Sequence, residues 1–190
     1  LSFPLIVKPN AEGSSKGISD IAIVEDVDKL KKVVYRNMDL YKEPLLVEEF
    51  IKGREFTVGI IGNGQDITVF PPMEIIYKDK DINNNVYSFN VKKDFKKYVD
   101  YACPAHIDER IEKSMISMAK KIYKLLECRD FARVDFRLSP GNDVYFIEIN
   151  PLPGLAPGYS DYPMIASFCG INYTELIKMI LNSALKRNGL

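Results

Sequence analysis

Two short segments hold the residues best suited to chemistry: Ala132-Arg133-Val134-Asp135-Phe136 and Phe146-Ile147-Glu148-Ile149-Asn150. Side chains alternate faces along a strand, so Arg133 and Asp135 share one face of the first segment, and Glu148 and Asn150 one face of the second. Centring a two-residue turn on Pro140-Gly141 sets Arg133 opposite Glu148 and Asp135 opposite Phe146. Asp135 and Glu148 then become diagonal neighbours, with backbones roughly 7–8 Å apart. Two carboxylates and an amide oxygen suit a hard divalent ion such as Mg²⁺, which keeps waters and takes substrate phosphates as further ligands. The alternative is a surface hairpin whose Arg133 and Glu148 form a cross-strand ion pair. Val134, Phe136, Ile147 and Ile149 are apolar, so the opposite face is expected in the core.

Other segments carry weaker signals. Lys8 ends an apolar run and is followed by Glu12-Gly13-Ser14-Ser15-Lys16-Gly17. Small residues let backbone N–H groups approach phosphate oxygens, and lysine supplies a point charge. The GxxxxGK[ST] spacing is absent, and most such loops are only turns. Leu45-Leu46-Val47-Glu48-Glu49-Phe50-Ile51, followed by Glu55, is an apolar strand ending in acids. Such a strand offers backbone groups to a purine edge and carboxylates to ribose hydroxyls, or is an ordinary solvated strand end. His106 is the only histidine and reads as structural or solvated. No Ser/His or Cys/His nucleophile pair is available.

The elements that position these residues follow from hydrophobic period. Strands are expected over 4–8, 20–24, 44–50, 55–61, 131–138 and 144–150, with a further strand within 65–77 after an Asn63-Gly64 turn. Helices are expected from Asp26, with Val27, Leu30, Val33 and Val34 on one face, over 108–126 behind an Asp108 cap, and over 173–187, with Leu176, Ile177, Ile180, Leu181 and Ala184 inside. Residues 78–97 and 151–163 read as loops. Strands and helices alternate irregularly, which argues α+β.

Composition narrows the class. The chain has 190 residues, is 46% hydrophobic and 27% charged, and has no net charge. Disorder is thereby excluded, and a broad pull on nucleic acid or an anionic membrane is not expected. No apolar run approaches the roughly 18 residues of a membrane helix. Cys103, Cys128 and Cys169 are far apart in sequence and make no disulfide framework, which favours a reducing, cytoplasmic setting. The chain opens directly into an apolar strand without Met and reads as a piece of a longer protein.

Taken in order, the segments resemble the ATP-grasp ligases, most closely the D-alanine–D-alanine ligase family, over nearly the whole chain. Phe3-Pro4-Leu5-Ile6-Val7-Lys8-Pro9 with Glu12-Gly13-Ser14-Ser15 looks like that family's ATP lysine strand and phosphate lid. Val47-Glu48-Glu49-Phe50-Ile51 with Gly53-Arg54-Glu55 looks like its adenine hinge and ribose carboxylate. The Arg133–Asp135 segment and Glu148-Ile149-Asn150-Pro151-Leu152-Pro153-Gly154 look like its metal and catalytic strands. The resemblance implies an ATP-grasp fold of antiparallel sheets with flanking helices, incomplete at its N-terminus. It divides into the remainder of a central subdomain over 1–62 and a C-terminal subdomain over 63–190.

It also implies ATP- and Mg²⁺-dependent joining of a carboxylate to an amine through an acyl phosphate, with Mn²⁺ as an alternative ion. Asp135, Glu148 and Asn150 would hold the ion. Arg133 and the Gly154 N–H would stabilise developing negative charge. Ser14 and Ser15 would close over the phosphates, which Lys8 contacts. Glu48, Glu49 and Ile51 would meet the adenine, and Glu55 the ribose. The substrate-loop position that commonly reads Lys-Tyr is Lys92-Lys93 here, with Lys92 on the nucleotide side. The stretch after Gly154, Leu155-Ala156-Pro157-Gly158-Tyr159-Ser160-Asp161, is about one residue longer than the family's, with Ser160 as the substitute serine. The substrate is therefore D-alanine or another amino acid or small carboxylate. An upstream domain of the same chain completes the enzyme, a homodimer is compatible, and neither nucleic acid nor membrane is a partner. The other reading is a non-catalytic nucleotide-binding domain on a degenerate ATP-grasp scaffold.

Overall fold

A computed structural model describes residues 1–10, 23–78 and 95–190, with the side chains of 95 and 96 left out. Glu12, Gly13, Ser14, Ser15, Lys16, Gly17 and Lys92 lie outside the described residues. The chain forms two compact units, Leu1–Lys52 with Tyr77–Asp100, and Gly53–Ile76 with Tyr101–Leu190.

In the first unit, β1 (Leu5–Pro9) lies between β2 (Ile23–Val24) and β3 (Leu45–Glu49), antiparallel to both. Helix α1 (Val27–Tyr41) starts at Asp26, whose carboxylate accepts from the Lys29 N–H at 2.7 Å, as the sequence predicts. Alternation buries Leu5 and Val7 beneath Val33, with Val24, Leu30 and Val47 completing this core. Ile6 and Lys8 are thereby turned to the other face of the sheet.

The second unit is organised by β4 (Arg54–Ile61), which pairs along its whole length with β8 (Phe131–Leu138). That pairing explains why the contact boundary falls after Lys52, whereas the sequence reading drew it after Gly62: cutting β4 away from β8 would break the centre of a sheet. The sheet runs β7 (Val99–Ala102), β6 (Met73–Tyr77), β4, β8, β9 (Val144–Asn150), with β5 (Thr68–Val69) also on β4. A short α2 (Phe95–Tyr98) leads into β7, a strand the polar sequence around it does not announce. Gly53 lets β4 start against the end of β8, since a Cβ there would meet the Leu138 carbonyl oxygen at 2.0 Å.

One face of this sheet is the main core. Phe56, Val58, Ile60, Ala132, Val134, Phe136 and Leu138 pack against Met115, Ala119 and Tyr123 of α3 (Glu109–Leu125). Asp108 caps α3 by accepting from the Arg110 N–H at 2.8 Å. A second cluster joins Ile61, Phe70, Met73 and Phe131 to Tyr162, Ile165 and Ala166 of α4 (Asp161–Phe168) and to Leu176 of α5 (Tyr173–Arg187). Helix α4 begins inside the stretch expected to be loop. Only Leu176 of the five inward residues expected on α5 is fully buried, and Leu181 is 55% exposed. Ile147 is likewise 39% exposed, because β9 is the outer strand of the sheet among the described residues.

Gly59 marks a tight place. A Cβ there would lie 2.7 Å from Phe70 Cδ2 and 3.3 Å from Tyr162 Cε2. Gly59→Ala is therefore expected to cost about 1–3 kcal/mol through overpacking, read as a lower urea midpoint at unchanged slope. A midpoint equal to the parent's would contradict this packing.

Asp130 ties α5 to the turn after β4. Its carboxylate accepts from Arg187 Nη2 at 2.8 Å and from Asn63 Nδ2 at 2.8 Å. The Arg187 hydrogen bond outweighs burial and holds the acid below the usual carboxylate range. A lowered folded-state pKa favours the ionised form, so this contribution is present above the unfolded value near pH 4 and is lost as pH falls through the folded value. Asp130→Asn is expected to lower the melting temperature more at pH 7 than near pH 3. Equal losses at both pH values would remove the acid's ionisation from the account.

Candidate active site

The other face of the β4–β8–β9 sheet carries the charged side chains. Residues Arg133, Asp135 and Arg137 of β8 stand opposite Gly59, Thr57 and Glu55 of β4, so period two puts all six on one face. On the β9 side, Asp135 is directly opposite Glu148, and Arg133 is opposite Asn150. The expected register, with Asp135 facing Phe146 and Arg133 facing Glu148, is corrected here. The turn is longer than two residues, with the Ser139 N–H bonded to the Asp143 carbonyl at 3.0 Å. Ile147 then drops out of the pairing in a bulge, because Phe136 pairs with Phe146 while Asp135 pairs with Glu148. The bulge changes which face each residue of β9 presents. Phe146 thus meets the ring of Phe136 at a centroid separation of 6.4 Å, while Glu148 turns to the charged face.

Asp135 is the centre of the network. Its Oδ1 accepts from Thr57 Oγ1 at 2.7 Å and from Arg133 Nε at 2.9 Å. Its Oδ2 accepts from Arg133 Nη2 at 2.8 Å and from Asn150 Nδ2 at 3.3 Å. The same Asn150 nitrogen donates to Glu148 Oε1 at 3.2 Å. Both carboxylates are therefore within reach of one amide group. The expected cross-strand Arg133–Glu148 ion pair of the surface-hairpin alternative is replaced by the Arg133–Asp135 pair.

Arg133 is buried, and its Nη1 pairs with Asp161 at 3.2 Å. Burial works against its charge, but Asp135, then Asp161 and Glu148, outweigh it and hold the guanidinium above the ordinary arginine pKa. Glu55 is paired with buried Arg137 at 3.0 Å. Gly154 lies against Ser160, whose Oγ would be 2.7 Å from a Cβ at that position, and Ser160 Oγ accepts from the Ala156 N–H at 3.2 Å. Sequence reading did not single out Thr57, Arg137 or Asp161. The first two were accessible from the alternation that puts Arg133 and Asp135 on one face. Asp161 was not, because its helix was read as loop.

Among the described residues no three His, Cys, Asp or Glu side chains form a metal cluster. The cradle that fits a cation is instead the Asp135–Glu148 pair with Asn150, whose amide places the positive end of its dipole between two acids. Turning that amide over presents its oxygen.

In the first unit, β1 and β3 bring Lys8 to Glu48, which form an ion pair. Glu49 points the other way, where its carboxylate accepts from the Ser2 N–H. Ile51 follows β3 and is half-buried.

The family model for the D-ala D-ala ligase C-terminus matches residues 1–182. The chain belongs to the D-alanine–D-alanine ligase family. It is 37% identical over 181 residues to the D-alanine–D-alanine ligase of Aquifex aeolicus, covering 94% of this chain and 56% of that protein. To the Bordetella avium enzyme of the same name it is 33% identical over 184 residues, covering 97% and 55%. Among solved structures it resembles the VanG D-Ala:D-Ser ligase of Enterococcus faecalis, with TM-score 0.75 at 26% identity, over 96% of this chain and 50% of that one. It also resembles the D-alanine–D-alanine ligase of Bacillus anthracis complexed with ATP, with TM-score 0.73 at 26% identity, over 97% and 53%. The chain spans about half the length of these relatives. The α+β architecture with antiparallel sheets agrees with these ligases, as the sequence reading expected.

Proposed function

We propose that this D-alanine–D-alanine ligase family chain is the nucleotide- and metal-binding part of an ATP-dependent carboxylate–amine ligase. The observation that carries the reading is the convergence of Asp135, Glu148 and Asn150 on one face beside buried Arg133. Asp135, Glu148 and Asn150 would hold Mg²⁺ or Mn²⁺. When bound, the ion neutralises phosphate charge and polarises a phosphoryl oxygen. Lys8, with Ser14 and Ser15, serves the phosphates; Glu48, Glu49 and Ile51 serve the base, Glu55 the ribose, and Lys92 the nucleotide side of the substrate loop.

The chemistry balances as two displacements. A substrate carboxylate oxygen attacks the γ-phosphorus of ATP, and the β–γ bridging P–O bond breaks with its electron pair going to ADP. An amine nitrogen then attacks the acyl carbon, the C–O bond to phosphate breaks, and the nitrogen loses a proton. Arg133 and the Gly154 N–H face the negative charge that develops in each step, where preorganised donors give most of the catalysis. The relatives' names point to D-alanine or D-serine as the amine. The altered 155–161 stretch leaves a wider set of amino acids and small carboxylates to be tested.

Full-length protein, with its upstream part, should release ADP and phosphate from ATP and Mg²⁺ only when an amino-acid pair is present. Hydroxylamine should trap an acyl hydroxamate. Nucleotide binding without substrate-stimulated ADP release across the panel would instead establish the non-catalytic reading.

A further inference from the structure

Arg133 has five N–H donors. Asp135 takes Nε and one Nη2 proton, and both groups belong to the same strand. Nη1 is met from a different element, by Asp161 at 3.2 Å. Asp161 is the first residue of α4, is 5% exposed, and is neighbour to Tyr162, which is fully buried and donates from its hydroxyl to the Ile60 carbonyl at 2.9 Å. That bond fixes the start of α4 to β4. Asp161 is thus held by the packing of its helix, whose Tyr162 lies against β4 and against Phe131 at the start of β8.

The two acids around Arg133 differ in what else is asked of them. Asp135 shares its oxygens with Thr57 and Asn150 and lies opposite Glu148, where a cation would draw on it. Asp161 has no place in the Asp135–Glu148–Asn150 cradle. We infer that Asp161 is a positioning residue, which holds the Nη1 side of the Arg133 guanidinium in one orientation while Asp135 serves the cation. The orientation follows from the geometry alone; what Arg133 stabilises rests on the ligase reading above. Burial at this place makes the acid costly unless paired. Arg133 is what pairs it.

The test uses full-length protein with ¹⁵N-labelled arginine. Arg133 is expected to show separate, slowly exchanging Nη1 and Nη2 protons, because rotation about the Cζ–Nη1 bond breaks the contact with Asp161. In Asp161→Ala the Nε–H signal should persist, held by Asp135, while the Nη1 protons merge. Averaged Nη1 protons in the parent, or resolved ones in the folded variant, would overturn the proposal. Should the variant not fold, the parent spectrum decides by itself, since Nη1 reports Asp161 and not Asp135.

A kinetic comparison separates positioning from plain structural support. Asp161→Ala should lower kcat about tenfold while KM for ATP moves less than about threefold. Asp161→Glu, which keeps the acid, should recover part of that loss. Unchanged kcat in a variant with merged Nη1 signals would reject the positioning role. A parent that never consumes ATP would reject the ligase reading and leave the spectrum to judge Asp161.

Discussion

Glu148→Gln is expected to reduce ADP release at least about 100-fold at saturating ATP, equivalent to about 2.7 kcal/mol of transition-state stabilisation. The substitution changes charge and almost nothing else. Gln presents an oxygen where Glu148 Oε1 accepts from Asn150 Nδ2 at 3.2 Å, so the hydrogen bond survives. Glu148 is also exposed on the outer strand, and exposed changes of this kind usually shift stability by less than about 0.5 kcal/mol. What is lost is one of the two anions that face each other across β8 and β9. A hard divalent ion depends on charged oxygen ligands, so its affinity should fall. Titrating Mn²⁺ by its paramagnetic resonance in the presence of ADP reads that loss apart from turnover. Metal affinity and ADP release within threefold of the parent would show that Glu148 is not a ligand.

Arg133→Met is expected to have the largest effect on stability. The guanidinium is shared by two acids, one partly buried and one buried, with side chains 15% and 7% exposed. Removing one partner of a buried ion pair typically costs about 3–5 kcal/mol, because the remaining charge is stranded rather than because the pair is strong. For a protein of this size that corresponds to a melting temperature roughly 10 °C lower. Thr57 and Asn150 still donate to Asp135, which limits the damage there. Arg133→Lys keeps a positive charge but cannot place donors on both acids in fixed directions. It should restore part of the stability and little of the turnover. Calorimetry on both variants decides the point, and a loss below about 1 kcal/mol for Arg133→Met would mean that the acids find other partners.

Much of this site was legible in the sequence, and the reasons are specific. Strands β8 and β9 are observed over the predicted residues because eight and seven residues of strongly alternating or apolar character leave few other readings. Asp108 and Asp26 cap their helices as expected because the capping acid stands directly before a periodic apolar stripe. The register between β8 and β9 was not legible. It depends on one residue leaving the ladder at Ile147, and no residue type announces a bulge there. Helix α4 was hidden by composition: the loop before it is rich in proline and glycine, and Pro163 lies in the helix's first turn, where a missing N–H costs nothing. Losing α4 meant losing Asp161. The cradle was found because its residues lie on strands, whose alternation is readable; its support was missed because it comes from a helix start.

The bulge has one further effect. Because β9 changes phase at Ile147, the half of the hairpin nearest the turn keeps its alignment through the paired Phe136 and Phe146 rings, while in the far half the Asn150 amide donates to both Asp135 and Glu148. Adding or removing a residue at the tip therefore need not carry through to Glu148. The hairpin end is mechanically insulated from the reactive end, and the length of its tip is free to vary.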